Sequence, residues 1–257
     1  MSPRAEESER RRGREPIPSG PNGSPAVKIC GLGRREDVEA AVEAGAAYLG
    51  LVFAESPRRV TPSRAAGLVE GVPARVVGVF VDAPAAEIRE TAEAVPLDVA
   101  QLHGSESPEL CETVRGTGLR VWKALRPRSA AELAEGAARY RGSVDGLLVE
   151  GFSEEAAGGT GTAFPHEWWR EAGLDEDGDG GGPALILAGG LTPENVAAAL
   201  GRTSPGVADV SSGVETAPGV KDPDRIRAFV QAVRGTGGGS RPEPAPEAVE
   251  RRSGEEA

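Results

Sequence analysis

Between residues 26 and 234, short apolar runs rich in β-branched residues alternate eight times with amphipathic or helix-like segments. The series begins with a strand-like run and ends with a helical one. The runs are apolar throughout rather than at every second position, as a parallel sheet buried on both faces requires. These observations predict an α/β fold: a single-domain (β/α)8 TIM barrel. An open doubly wound sheet is the competing reading.

The strands are expected at AVKIC (26–30), YLGLVF (48–53), RVVGVFV (75–81), LDVAQLH (97–103), RVWKAL (120–125), VDGLLVE (144–150), ALILAG (184–189) and GVADVSS (206–212). Apolar residues at helical spacing predict helices over 35–45, 84–95, 107–118, 129–140, 192–202 and 222–233. Several open with Ser, Thr or Asp beside Pro and carry an acid in the first turn, which is N-terminal capping chemistry. Gly45 and Gly118 stand where helices commonly end. The sixth unit is the least regular, because a long stretch, GFSEEAAGGTGTAF, follows its strand before any helical pattern.

Residues 1–25 and 235–257 mix charge, Pro, Gly and Ser with little to bury, and are expected to be disordered tails. Such segments do not offset a backbone ordering cost of about 1–2 kcal/mol per residue. The acidic, glycine-rich run 174–183 is expected to be a mobile surface loop. The chain of 257 residues has 29 Lys+Arg and 40 Asp+Glu, a formal charge of −11. That balance argues against a nucleic-acid binder. No apolar run approaches the ~18 residues of a membrane span, and the charged N-terminus does not read as a secretory signal. Two cysteines, Cys30 and Cys111, make no disulfide framework; reduced thiols and a cytoplasmic setting are expected. Two histidines, His103 and His166, give no metal-binding spacing, and neither a Walker motif nor a dinucleotide fingerprint is present.

A barrel places its chemistry at the C-terminal ends of the strands. Strands seven and eight end in Gly189-Gly190 and Ser211-Ser212-Gly213, where backbone N–H groups can cradle a phosphate if no Cβ intervenes; tight βα turns are the competing reading. Cys111 fits an inert helix position. Cys30 ends strand one at the mouth, where a thiol could serve as general base or nucleophile. Glu150, ending strand six, is either its acid partner across the pocket or a solvated carboxylate. Arg58 and Arg59 follow strand two, and an arginine reaching over the mouth would grip a carboxylate. Gln101 and His103 end strand four and are expected to hydrogen-bond substrate, a satisfied wall residue being the competing reading of His103.

The motifs VKICG (27–31), SPR (56–58), VGVFV (77–81), QLHG (101–104), GGTG (158–161), LAGGL-P-NV (187–196) and DVSSGVE-PG-KD (209–222) occur in this order. In register over 26–234, they resemble the phosphoribosylanthranilate isomerases of tryptophan biosynthesis. The resemblance implies a cofactor-free Amadori rearrangement, in which N-(5-phosphoribosyl)anthranilate becomes 1-(2-carboxyphenylamino)-1-deoxyribulose 5-phosphate. It assigns the base to Cys30, the anthranilate carboxylate to Arg58, and the phosphate to Gly189, Gly190, Ser212 and Gly213. Asp209 would give polar support near the substrate. The implied partner is this small molecule, bound by a monomer or homodimer, with no nucleic acid and no membrane. The chain departs from the family at the acid, where Leu148-Val149-Glu150 replaces an LLD pattern. A second departure follows GGTG, where the family tends to have an aromatic–Asp–Trp sequence and this chain reads Phe164-Pro165-His166-Glu167-Trp168. A paralogue acting on a related phosphoribosylamine, or a silent sugar-phosphate-binding barrel, are the alternatives that these departures leave.

Overall fold

The structure, a computed structural model, describes residues 20–151, 165–174 and 182–237. Eight parallel strands close into a barrel in sequence order: β1 (Ala26–Cys30), β2 (Tyr48–Val52), β3 (Arg75–Phe80), β4 (Val99–Leu102), β5 (Arg120–Leu125), β6 (Gly146–Val149), β7 (Ala184–Leu187) and β8 (Val207–Val210). β1 pairs with both β2 and β8, so the sheet has no edge and the doubly wound alternative is excluded. Each strand lies within two residues of its expected position.

Helices follow the strands: α1 (Arg35–Ala44), α2 (Pro62–Leu68), α3 (Ala85–Ala94), α4 (Pro108–Arg115), α5 (Ala130–Tyr140), α6 (Glu167–Glu171), α7 (Val196–Thr203) and α8 (Pro223–Arg234). Gly45 closes α1 in the left-handed region at φ 89°. α2 is short and carries little apolar periodicity, so its sequence signal is mainly its cap, Thr61 Oγ1 accepting from Arg64 N–H. α7 begins four residues later than its pattern suggests. Asn195 Oδ1 accepts from Thr192 N–H and Thr192 Oγ1 from Glu194 N–H, and this local turn displaces the first helical turn. After β8, a two-stranded antiparallel ribbon, β9 (Glu215–Ala217) and β10 (Val220–Lys221), precedes α8.

The described fold also includes Gly20–Pro25 and Gly235–Gly237, beyond the 26–234 unit expected from composition. Pro21–Gly23 form a 3-10 turn beneath β1, and Gly237 packs against Pro21 and Asn22. The GGTG segment, Phe164 and most of the 174–183 run lie outside the described residues.

The apolar side chains form two clusters, one inside the barrel and one between strands and helices. Burial on both sides explains why the strands read as continuous apolar runs. Inside, Trp122 of β5 fills the barrel and meets Tyr48 of β2 edge-on, with ring centroids 4.9 Å apart. Gly146 on the neighbouring β6 makes the space, since a Cβ there would lie 2.6 Å from Trp122 Cδ1. The indole N–H of Trp122 has no hydrogen-bond partner among the described residues. Trp122→Ala is therefore expected to lower stability by about 3–5 kcal/mol. Trp122→Phe, which keeps the ring and removes the unpaired donor, should cost clearly less. Urea denaturation of the two variants checks this, and equal losses would mean that ring volume is not what the site requires.

Candidate active site

β1 carries Lys28 and Cys30 two residues apart, so both project into the barrel. Gly50, the register partner of Cys30 on β2, leaves room for the thiol; a Cβ there would stand 2.9 Å from Sγ. Lys28 is fully buried, and its Nζ donates to both carboxylate oxygens of Asp209 on β8 at 3.0 Å. Burial pushes the Cys30 thiol above its ordinary range; Lys28 is the strongest pull back, Asp209 pushes up again, and Lys221 pulls down. Burial alone would lower the Lys28 ammonium, but Asp209 and Cys30 outweigh it and hold the group above its usual value. Lys28 was not among the residues that the sequence singled out. Its one signal is a charge in the middle of an apolar strand, on the same face as Cys30.

Glu150 follows β6, and its Oε1 lies 2.8 Å from His103 Nε2 at the end of β4. β4 and β6 are not neighbours, so this contact runs through the barrel interior. Gln101 Nε2 in turn approaches His103 Nδ1 at 2.9 Å. Gln101 and His103, expected to bind substrate, are thus linked to each other and through His103 to Glu150. Both oxygens of Asp209, expected to give polar support, accept from Lys28. The His103 turn is held by a buried pair, Lys123 Nζ to Glu106 Oε2 at 3.1 Å. The Glu106 carboxylate also accepts from Asp82 N–H and Gly104 N–H, tying the ends of β3 and β4 together.

Arg58 lies across Gly31, whose positive φ of 76° turns the chain away from Cys30. Its Nε and Nη2 grip the two oxygens of Glu215, each at 2.8 Å, and Lys221 Nζ holds the same carboxylate at 2.7 Å. Burial pushes the Glu215 carboxyl up, but Arg58 and Lys221 outweigh it and hold it below the usual range. Nη1 of Arg58 has no partner among the described residues. Glu215 and Lys221 were also missed, although both stand in the SSGVE-PG-KD motif. Their partners are distant in sequence, and only the fold brings them together. Arg59, by contrast, is exposed, forming a bridge with Val52 of β2.

The glycines after β7 and β8 divide into two roles. Gly189 and Gly190 have φ of 82° and 65°. A Cβ on Gly189 would stand 2.8 Å from Gly151 N, and one on Gly213 would collide with Leu191 O, so both glycines serve the close packing of adjacent loops. Among the described residues, none accepts a hydrogen bond from the backbone N–H groups of Gly190, Ser212 or Gly213. Three such N–H groups are left without an acceptor at the ends of the last two strands, where backbone donors can meet an anion. Among the described residues no three His, Cys, Asp or Glu side chains are grouped to hold a metal ion, and no helix is long and apolar enough to cross a membrane.

The family model described as N-(5'phosphoribosyl)anthranilate (PRA) isomerase matches residues 27–232. An N-(5'-phosphoribosyl)anthranilate isomerase of Symbiobacterium thermophilum is 49% identical over 223 residues, covering 81% of this chain and 98% of the relative. The phosphoribosyl anthranilate isomerase structure from Thermus thermophilus superposes with a TM-score of 0.71 at 37% identity, covering 82% of this chain and 98% of that one. A phosphoribosyl anthranilate isomerase in complex with reduced 1-(o-carboxyphenylamino)-1-deoxyribulose 5-phosphate superposes with a TM-score of 0.70 at 33% identity, covering 82% and 99%. A closed barrel that carries a thiol on β1, a carboxyl after β6 and unpaired N–H groups after β7 and β8 thus coincides with these matches over nearly its whole length, and the chain belongs to the N-(5'-phosphoribosyl)anthranilate isomerase family.

Proposed function

We propose that this chain isomerises N-(5'-phosphoribosyl)anthranilate to 1-(2-carboxyphenylamino)-1-deoxyribulose 5-phosphate in tryptophan biosynthesis, in the cytoplasm and without a cofactor. The observation that carries the reading is the placement of Cys30 and Glu150 on the inner side of one barrel mouth, each buried but neither sealed off, with exposures of 8% and 6%. General acid–base chemistry needs two such groups within reach of one substrate. The related structure with the reduced product analogue supports the same class of ligand.

In this reading the phosphate rests on the N–H groups of Gly190, Ser212 and Gly213, and the free Nη1 edge of Arg58 faces the anthranilate carboxylate. Glu215 preorients that arginine by occupying its other edge. Glu150, as the general acid, gives a proton to the furanose ring oxygen; the C1–O bond breaks and the nitrogen lone pair forms the Schiff base. The Cys30 thiolate then takes the proton from C2, the C–H electrons form the C1–C2 double bond, and the nitrogen recovers its pair. The resulting enolamine becomes the ketone when C1 gains a proton and the 2-hydroxyl loses one. Lys28 is the ammonium beside the thiol that makes its anionic form accessible in a buried position.

Positioned acid–base groups contribute about 10²–10⁴-fold each. Cys30→Ala and Glu150→Gln are expected to lower kcat on that scale while leaving binding of inorganic phosphate unchanged. Steady-state turnover and a phosphate titration on folded protein check this, and undiminished kcat in either variant would remove that residue from its role.

A further inference from the structure

A glutamate reaches one methylene farther than an aspartate, and an error of about 1 Å in a reacting group can cost ~100-fold in rate. A glutamate that ends β6 therefore needs something to fix its longer arm. Among the described residues, its carboxylate has one hydrogen-bonding side chain, His103 Nε2 at 2.8 Å. His103 is itself immobilised. Its backbone N–H donates to Phe80 O, its carbonyl accepts from Arg126 Nη2, and the next residue, Gly104, is clamped by Glu106. Gln101, two residues earlier on the same inward face, meets the other ring nitrogen at 2.9 Å. The amide is buried, and its Oε1 has no partner among the described residues. Burying half an amide unpaired is destabilising, so what Gln101 offers the barrel is its other half, on the histidine.

We propose that His103 is the positioning residue for the general acid of this chain, and that Gln101 sets which way it acts. This inference rests on the isomerase reading given above. Gln101 Nε2–H donates to Nδ1, which leaves a ring proton to stand on Nε2 and point at Glu150. Nε2–H donates to Oε1, which fixes the carboxyl rotamer and leaves Oε2 to carry the proton toward the ring oxygen. After that transfer, the same Nε2–H stabilises the carboxylate that remains. The opposite ring tautomer would instead draw the acid's proton toward the histidine and away from the sugar. The chain of Gln101, His103 and Glu150 thus fixes where the acid delivers its proton.

The test uses the full chain and N-(5'-phosphoribosyl)anthranilate, with thermal denaturation as the check on folding. His103→Phe is expected to lower kcat about 30-fold while KM moves less than about threefold. His103→Gln, whose Nε2–H reaches about as far as the imidazole Nε2–H, should recover most of the loss. Gln101→Leu should lower kcat in the same direction by about fivefold. In a Glu150→Asp background the shorter acid no longer reaches the imidazole, and His103→Phe should then cost at most about twofold. A raised KM with unchanged kcat would make His103 a substrate ligand, and an undiminished loss in the Glu150→Asp background would show that it acts apart from the acid; either result overturns the proposal. Absence of turnover in the folded wild-type protein is a different failure, that of the isomerase reading, and takes the proposal with it.

Discussion

A thiol buried in a protein can hold a negative charge only against a fixed cation, and the mouth of this barrel is built around that constraint. Desolvation opposes the thiolate. Lys28 opposes desolvation from directly below Cys30, and Asp209 holds the ammonium in place with two 3.0 Å contacts. A buried ion pair of this kind contributes little net stability; its value here lies in where it fixes the positive charge. A second tier repeats the arrangement nearer the rim, where Glu215 sits between Arg58 and Lys221. The lower tier pairs one cation with one carboxylate and the upper sets two cations around one, so the surroundings of the thiol carry an excess of positive charge.

The barrel separates stability from function along its axis. Its lower interior is filled by Trp122, Tyr48 and aliphatic side chains of the inner cluster. Its upper interior is polar, and the polar residues that the barrel strands supply there are the next inward-facing positions beyond the floor. Val99 gives way to Gln101 and His103, Leu148 to Glu150, and Ala26 to Lys28 and Cys30. Alternation along a strand sends every second residue inward, so two residues of advance turn core into site. Glycine supplies the remaining space, at Gly50 for the thiol and at Gly189 for the backbone of Gly151.

This division explains what the sequence disclosed. Strand positions followed from the apolar runs, and Cys30, Glu150 and the glycine-bearing loops followed from strand ends. Lys28 was within reach of the same reasoning, because its spacing from Cys30 fixes a common face. The pairing of Arg58 with Glu215 and the meeting of His103 with Glu150 were not legible. They join residues 157 and 47 positions apart, and depend on side-chain reach rather than on strand period. For that reason the sequence offered Gln101 and His103 as substrate ligands without disclosing that Gln101 meets His103 and His103 meets the acid. α2 escaped notice because seven residues with little apolar periodicity carry scarcely any helical signal.

The most direct measurement is the pH dependence of Cys30 alkylation by iodoacetamide, in the wild type and in Lys28→Met/Asp209→Asn, which removes the pair without stranding a buried carboxylate. Burial holds the wild-type thiol above its ordinary range, so its rate should be low at neutral pH and climb through the alkaline range. Lys28 lowers the thiol more than Asp209 raises it, so losing both should move the curve to higher pH, with alkylation at pH 8 about tenfold slower. Cys111, fully buried and pushed up to about 11, should stay silent below that range. A curve that stays in place, or moves to lower pH, would contradict the account.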